Sequence, residues 1–96
     1  MQNDLIIIND YCTHCNMEPD FILMLGEDGL IDIEVIDDTS YFPASQLNEL
    51  ERYTHLYYDL SINIEGIDAI RHLLTKIRNL QNKVRSLENE LRFYRR

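Results

Sequence analysis

The run from Ile67 to Tyr94, IDAIRHLLTKIRNLQNKVRSLENELRFY, contains neither glycine nor proline and repeats its apolar residues at intervals of three and four. Written as heptads, it places Ile70, Ile77, Val84 and Leu91 at the first core position and Leu73, Leu80, Leu87 and Tyr94 at the second. β-Branched residues at one seam position with leucine at the other form the pattern of a two-stranded coiled coil. A helix of this length extends roughly 40 Å, longer than a domain of this size can cover by itself. Burying eight such side chains is worth about 1.5–3 kcal/mol each before ordering costs. The sequence therefore predicts a homodimer held by Ile70, Leu73, Ile77, Leu80, Val84, Leu87 and Leu91, against the competing reading of a core helix within one chain. Lys83 and Glu88 would pair across a parallel seam, but so few flanking charges leave the direction open.

Upstream of this helix, Asn63 is the expected cap. Pro43 opens a third helix that carries Leu47, Leu50, Tyr53, Tyr57 and Leu60 on one face and stops near Ser61. Before it, Ile31-Asp32-Ile33-Glu34-Val35 alternates with period two, Asp37-Asp38 supplies turn chemistry, and Ser40-Tyr41-Phe42 returns, which predicts a β-hairpin, or wing. Glu18 to Leu25 fits a second helix, with Pro19 in its first turn and Phe21, Ile22 and Leu25 on one face; Gly26 or Gly29 can end it. A first helix, capped by Asn9 or Asp10, ends near Asn16. The two short helices make a helix-turn-helix unit. The expected fold is mostly α, a winged helix-turn-helix with a short β-hairpin wing and a C-terminal coiled-coil helix. Residues 1–62 hold the helix-turn-helix, wing and third helix, and residues 63–96 the dimerisation helix.

Hydrophobic residues make up 45% of the chain and charged residues 27%, with three Gly and two Pro, a composition that folds. The apolar run Leu5 to Ile8 is too short for a membrane span or a signal peptide, and the residues before it carry no basic group, so the chain reads as cytoplasmic. The net charge of −8 is unevenly distributed. Residues 1–60 hold thirteen Asp and Glu and one basic residue, Arg52; residues 61–96 hold eight Lys and Arg against Glu65, Asp68, Glu88 and Glu90. The two parts have opposite electrostatic characters.

Cys12-Thr13-His14-Cys15 has the spacing of a zinc or thiol-exchange pair. Structural zinc wants four ligands, and His14, His55 and His72 are scattered, so no metal is expected; one cysteine should face the core and the other the surface. The sequence holds no phosphate-binding glycine loop and no nucleophile with a base partner. It predicts no catalytic residues, no cofactor and no enzyme.

Asp59-Leu60-Ser61-Ile62-Asn63-Ile64-Glu65-Gly66-Ile67 resembles the Asp-Leu-x-Ile-Asn-x-x-Gly-Ile turn before the last helix of MerR and HspR relatives. Within that group the chain resembles the chaperone modulator CbpM family. The residues that carry the likeness are Ile8-Asn9-Asp10-Tyr11-Cys12, Gly29-Leu30-Ile31, Tyr41-Phe42-Pro43 and the leucine-rich tail. The resemblance implies a MerR-like fold, an antiparallel coiled-coil dimer, and a protein that binds the J-domain of a DnaJ/CbpA-like co-chaperone and blocks its encounter with DnaK.

Charge gives a separate reason to prefer a protein partner over DNA. A helix-turn-helix in the major groove needs Lys and Arg for phosphate contacts, and residues 1–51 contain none. An acidic surface of Glu27, Asp28, Asp32, Glu34, Asp37 and Asp38 could instead steer and hold a basic helix such as a J-domain presents. These carboxylates could equally be a solubilising surface. The alternatives are a MerR-family transcriptional regulator, which the basic residues of the last helix keep open, and an adaptor for some other basic protein.

Overall fold

The computed structural model describes residues 4–95. The chain begins with β1 (Leu5–Ile7), which passes directly into α1 (Ile8–Cys15). The expected Asn9 or Asp10 cap is absent because the strand leaves Ile7, in extended conformation, at the capping position, with no side-chain cap bond. At the other end Asn16 adopts the left-handed conformation (φ 57°), and the Met17 N–H returns to the Cys12 carbonyl at 2.9 Å, which stops α1 where the sequence predicted. α2 (Pro19–Glu27) follows, with proline in its first turn and Phe21, Ile22 and Leu25 turned inward.

The wing consists of β2 (Glu34–Ile36) and β3 (Thr39–Pro43), joined by Asp37 and Asp38 at φ 51° and 65°. Two successive left-handed residues give the hairpin turn whose twist matches the strands it connects, and aspartate tolerates that conformation better than most side chains. The alternation read from Ile31 to Val35 does not continue through β2. Ile31 belongs to the core, and the paired strand starts only at Glu34, so Val35 and Ile36 stand exposed. The shift has a visible cause: the Asp32 N–H donates to Gln46 Oε1 at 2.9 Å and Gln46 Nε2 donates to Asp32 Oδ2 at 3.0 Å, which holds this segment against the chain beyond β3.

The hairpin also gains a third strand, in the order β1-β3-β2, both pairings antiparallel, with Ile6 opposite Phe42 and Val35 opposite Ser40. The apolar run Leu5–Ile7 is thus a strand and not merely the lead into a helix. Pro43 closes β3 instead of opening a helix; a 3₁₀ turn over Ala44–Gln46 intervenes before α3 (Leu47–Thr54), which runs into a wider π-type turn at His55–Asp59. Leu60, expected on the buried face, is exposed, because this wider turn rotates it away from the stripe that Leu50 and Tyr53 bury.

α4 (Ile64–Tyr94) is 31 residues long. Asn63 caps it as expected, accepting from the Gly66 N–H at 2.8 Å. Among the described residues eleven form the core: Ile8, Cys12, Phe21, Ile22, Leu25, Leu30, Ile31, Phe42, Leu50, Tyr53 and Ile67. Ile67 is the last of them, so α4 leaves the core within its first turn and a half. The mostly helical architecture with a small antiparallel sheet and a long last helix is that of a MerR-like winged helix.

Gly66 is constrained from two sides, since a Cβ there would sit 2.7 Å from Ile62 Cγ2 and 3.1 Å from Asn63 Oδ1. The cap and the close turn before it act together. Replacing Asn63 with alanine should destabilise the protein by about 1 kcal/mol, whereas Asn63→Asp should be nearly neutral; urea unfolding of the three proteins side by side measures both effects.

Candidate functional site

α2 is the second helix of the helix-turn-helix, the one that a DNA-reading protein lays in the major groove. Its outward residues are Asp20, Leu23, Met24 and Glu27, all exposed. No Arg, Lys, Asn or Gln occurs between Pro19 and Glu27, so the helix offers none of the paired donors that read guanine or adenine edges. It offers two carboxylates and two apolar side chains. Burying Phe21, Ile22 and Leu25 fills the inward stripe, and a run of five apolar residues leaves Leu23 and Met24 outside.

The wing repeats this chemistry. β2 is an edge strand, with Val35 66% and Ile36 46% exposed, flanked by Glu34 before them and the Asp37-Asp38 turn after. The wing leaves the body close to α2: Gly26 lies so near Ile33 that a Cβ there would meet its side chain. All six carboxylates expected to bind a partner are exposed, but they occupy different places. Glu27 and Asp28 border a shallow groove of about 320 Å³ with Met24, Tyr57, Asn63, Ile64 and Glu65. Glu34, Asp37 and Asp38 lie on the wing, while Asp32 is engaged by Gln46. Charge reasoning alone missed Leu23, Met24, Val35, Ile36 and Glu65. The first four had a signal, since both runs hold more apolar residues than one buried face accommodates.

On α1, Cys12 is buried and Cys15 exposed, and both are free thiols, the division expected from the sequence. Among the described residues no three His, Cys, Asp or Glu side chains gather as a metal set. His55 Nδ1 lies 2.6 Å from Asp59 Oδ2, and His72 Nδ1 2.9 Å from the Asp68 carbonyl, both one helical turn away along the chain. Near the cysteines, Tyr11 packs edge-on against Phe42. Burial first, and the adjoining Cys15 second, push its phenol up to about 12. Burial also raises Cys12, Tyr53 and Tyr58.

Along α4, Leu73, Ile77, Leu80, Val84, Leu87 and Leu91 are each about half exposed or more. Ile70 differs from them. It is half-buried and lines a groove between α3 and α4, so the open stripe begins one turn later than the heptads alone place it. No helix among the described residues is long and apolar enough to cross a membrane.

A helix-turn-helix, an antiparallel wing and a long terminal helix together define a winged helix-turn-helix protein. The family described as MerR HTH family regulatory protein matches residues 6–89, and the chain belongs to it. No curated protein and no solved structure matches the chain.

Raised tyrosines tie stability to alkaline pH. Their neutral forms are favoured in the folded state, so their contribution is complete below the ordinary tyrosine value near 10 and is lost as pH rises through the folded values, about 12 for Tyr11. Denaturant midpoints measured from pH 8 to 11.5 should hold to about pH 9.5 and then fall, less steeply in Tyr11→Phe.

Proposed function

We propose that this chain is a protein-binding member of its family that modulates a DnaJ/CbpA-type co-chaperone, holding the J-domain on the face made by α2 and the wing and so competing with DnaK. The observation that carries this reading is the chemistry of α2, where Asp20, Leu23, Met24 and Glu27 stand in place of base-reading donors. A carboxylate-rimmed apolar surface suits a basic amphipathic helix: the charges speed encounter and fix orientation, and the apolar side chains anchor the complex. The likeness of Ile8-Asn9-Asp10-Tyr11-Cys12, Gly29-Leu30-Ile31, Tyr41-Phe42-Pro43 and the leucine-rich tail to the chaperone modulators supplies the kind of partner. Two observations favour a DNA-binding regulator instead, namely the description of the matching family and the basic residues along α4.

Calorimetric titration with the J-domain of the host's own CbpA-like protein, at low and high salt, separates the two readings. The expected result is saturable binding that weakens with salt and falls about tenfold or more in the Glu34→Lys, Asp37→Lys double variant. Leu23→Ser with Met24→Ser should weaken it with little change in the salt dependence. Sequence-specific binding of a promoter duplex together with no heat from the J-domain would replace this reading with the regulator.

The proposed protein is a dimer through the open stripe of α4, Leu73 to Leu91, continued inward by Ile70. Sedimentation velocity at micromolar concentration should give the mass of two chains, and Leu80→Glu the mass of one, with reduced helical ellipticity because α4 then loses its cover. A monomeric parent protein sinks the dimer.

A further inference from the structure

Arg52 is the single basic residue of the acidic part of the chain, and the fold does not leave it isolated. It lines the groove between α3 and α4, about 280 Å³ in volume, together with Arg71 and Arg78. The latter two are seven residues apart, on the same side of α4, with Leu74 and Thr75 between them. Leu56, Ile70 and Leu74 give the groove apolar walls, and Ser45 and Tyr53 add hydroxyls. Tyr53 is 3% exposed, and burial raises its pKa, so the phenol keeps the proton that it could donate to an anion.

Among the described residues little answers these guanidinium groups. Arg71 Nη2 donates to Asp68 Oδ1 at 2.9 Å, while its Nε is enclosed and has no partner. Arg52 and Arg78 make no ion pair within 4 Å among the described residues. Among the described residues Glu49 is the only carboxylate lining the groove, and Asp68 stands beyond it, so three positive groups there face two negative ones in a protein whose net charge is −8.

We infer that the α3–α4 groove is a binding site for a small oxyanion of the phosphate-monoester class, held by Arg52, Arg71 and Arg78. Guanidinium forks match the oxygen geometry of phosphate, and a charge-assisted hydrogen bond of this kind is stronger than a neutral one. At about 280 Å³ the groove falls just below the usual size of small-molecule sites, room for a small oxyanion and not for a nucleic-acid strand. The site is independent of the α2 and wing face, and of the J-domain reading.

The test is a titration of the full-length protein with inorganic phosphate at constant ionic strength, followed by amide ¹H–¹⁵N shifts. Saturable shifts confined to residues around Arg52–Leu56 and Ile70–Arg78, with affinity weakened at least about tenfold in Arg52→Gln and in Arg78→Gln, are the expected result. Both side chains are exposed, so neither substitution threatens the fold. Shifts that rise linearly and spread along the whole of α4, or an affinity unchanged in the two variants, overturn the proposal. So does phosphate binding that appears only after Glu88→Gln and Glu90→Gln, since the groove would then be filled by carboxylates of a second copy.

Discussion

Phe42 is the side chain on which the rest of the structure depends. It is fully buried on the central strand of the sheet, opposite Ile6 on one side, with the ring of Tyr11 edge-on at 5.4 Å above it. Because side chains alternate across a strand, shifting β3 by one residue would turn Phe42 out to solvent, so its burial sets the face that the central strand turns to the core. Everything else is tied to that strand. α1 begins at the residue after β1, so the β1–β3 pairing also positions the first half of the helix-turn-helix. The Ala44 N–H then bonds to the Asp4 carbonyl at 2.8 Å, which aims the chain into α3, and Leu50 and Tyr53 complete the core beneath α4.

α2, the end of α1 and the start of α4 were legible because their signals are local, whereas the starts of α1 and α3 depend on the strands before them. Pro19, the left-handed Asn16 and the Asn63 cap each act within one turn, and the heptads of α4 repeat often enough to outweigh any single residue. The sheet was less legible, because pairing is decided at a distance. Nothing within Leu5–Ile7 tells a strand from the start of a helix; its partner, Tyr41–Pro43, lies more than thirty residues away. The wing start was misplaced for a similar reason. Ile31-Asp32-Ile33-Glu34-Val35 alternates as a strand does, but Gln46, fourteen positions further on, holds Asp32 out of the ladder. Of the candidate interface, sequence showed its sign but not its anchors. Carboxylates can be counted without a structure, whereas an exposed Leu23 or Val35 is distinguished from a buried one only once the core has taken its share.

The charge split gains meaning from the fold. The acidic segment forms the head, and its outward face on α2 and the wing is left with apolar residues the core did not need, set among carboxylates. This arrangement opposes phosphate contact in the two elements with which a winged helix-turn-helix grips DNA. It leaves α4 as the place where positive charge collects, together with Arg52. The two surfaces therefore carry opposite charge within one small molecule, and on the proposed dimer each would occur twice.

α4 sets the remaining constraint. Past Leu74 every described residue of α4 is exposed, and an isolated helix of about twenty residues that is not alanine-rich is only marginally formed in water. Yet this stretch carries the most regular apolar stripe in the chain, left half or more exposed within one copy. If a second chain supplies the missing cover, as proposed, helix formation and association become one equilibrium, and the order of α4 depends on protein concentration. The core residues of the head close with Ile67, before the open stripe begins. Binding at the head and assembly through the tail can then be altered separately by substitution, which lets each be assigned its own part in the protein's action.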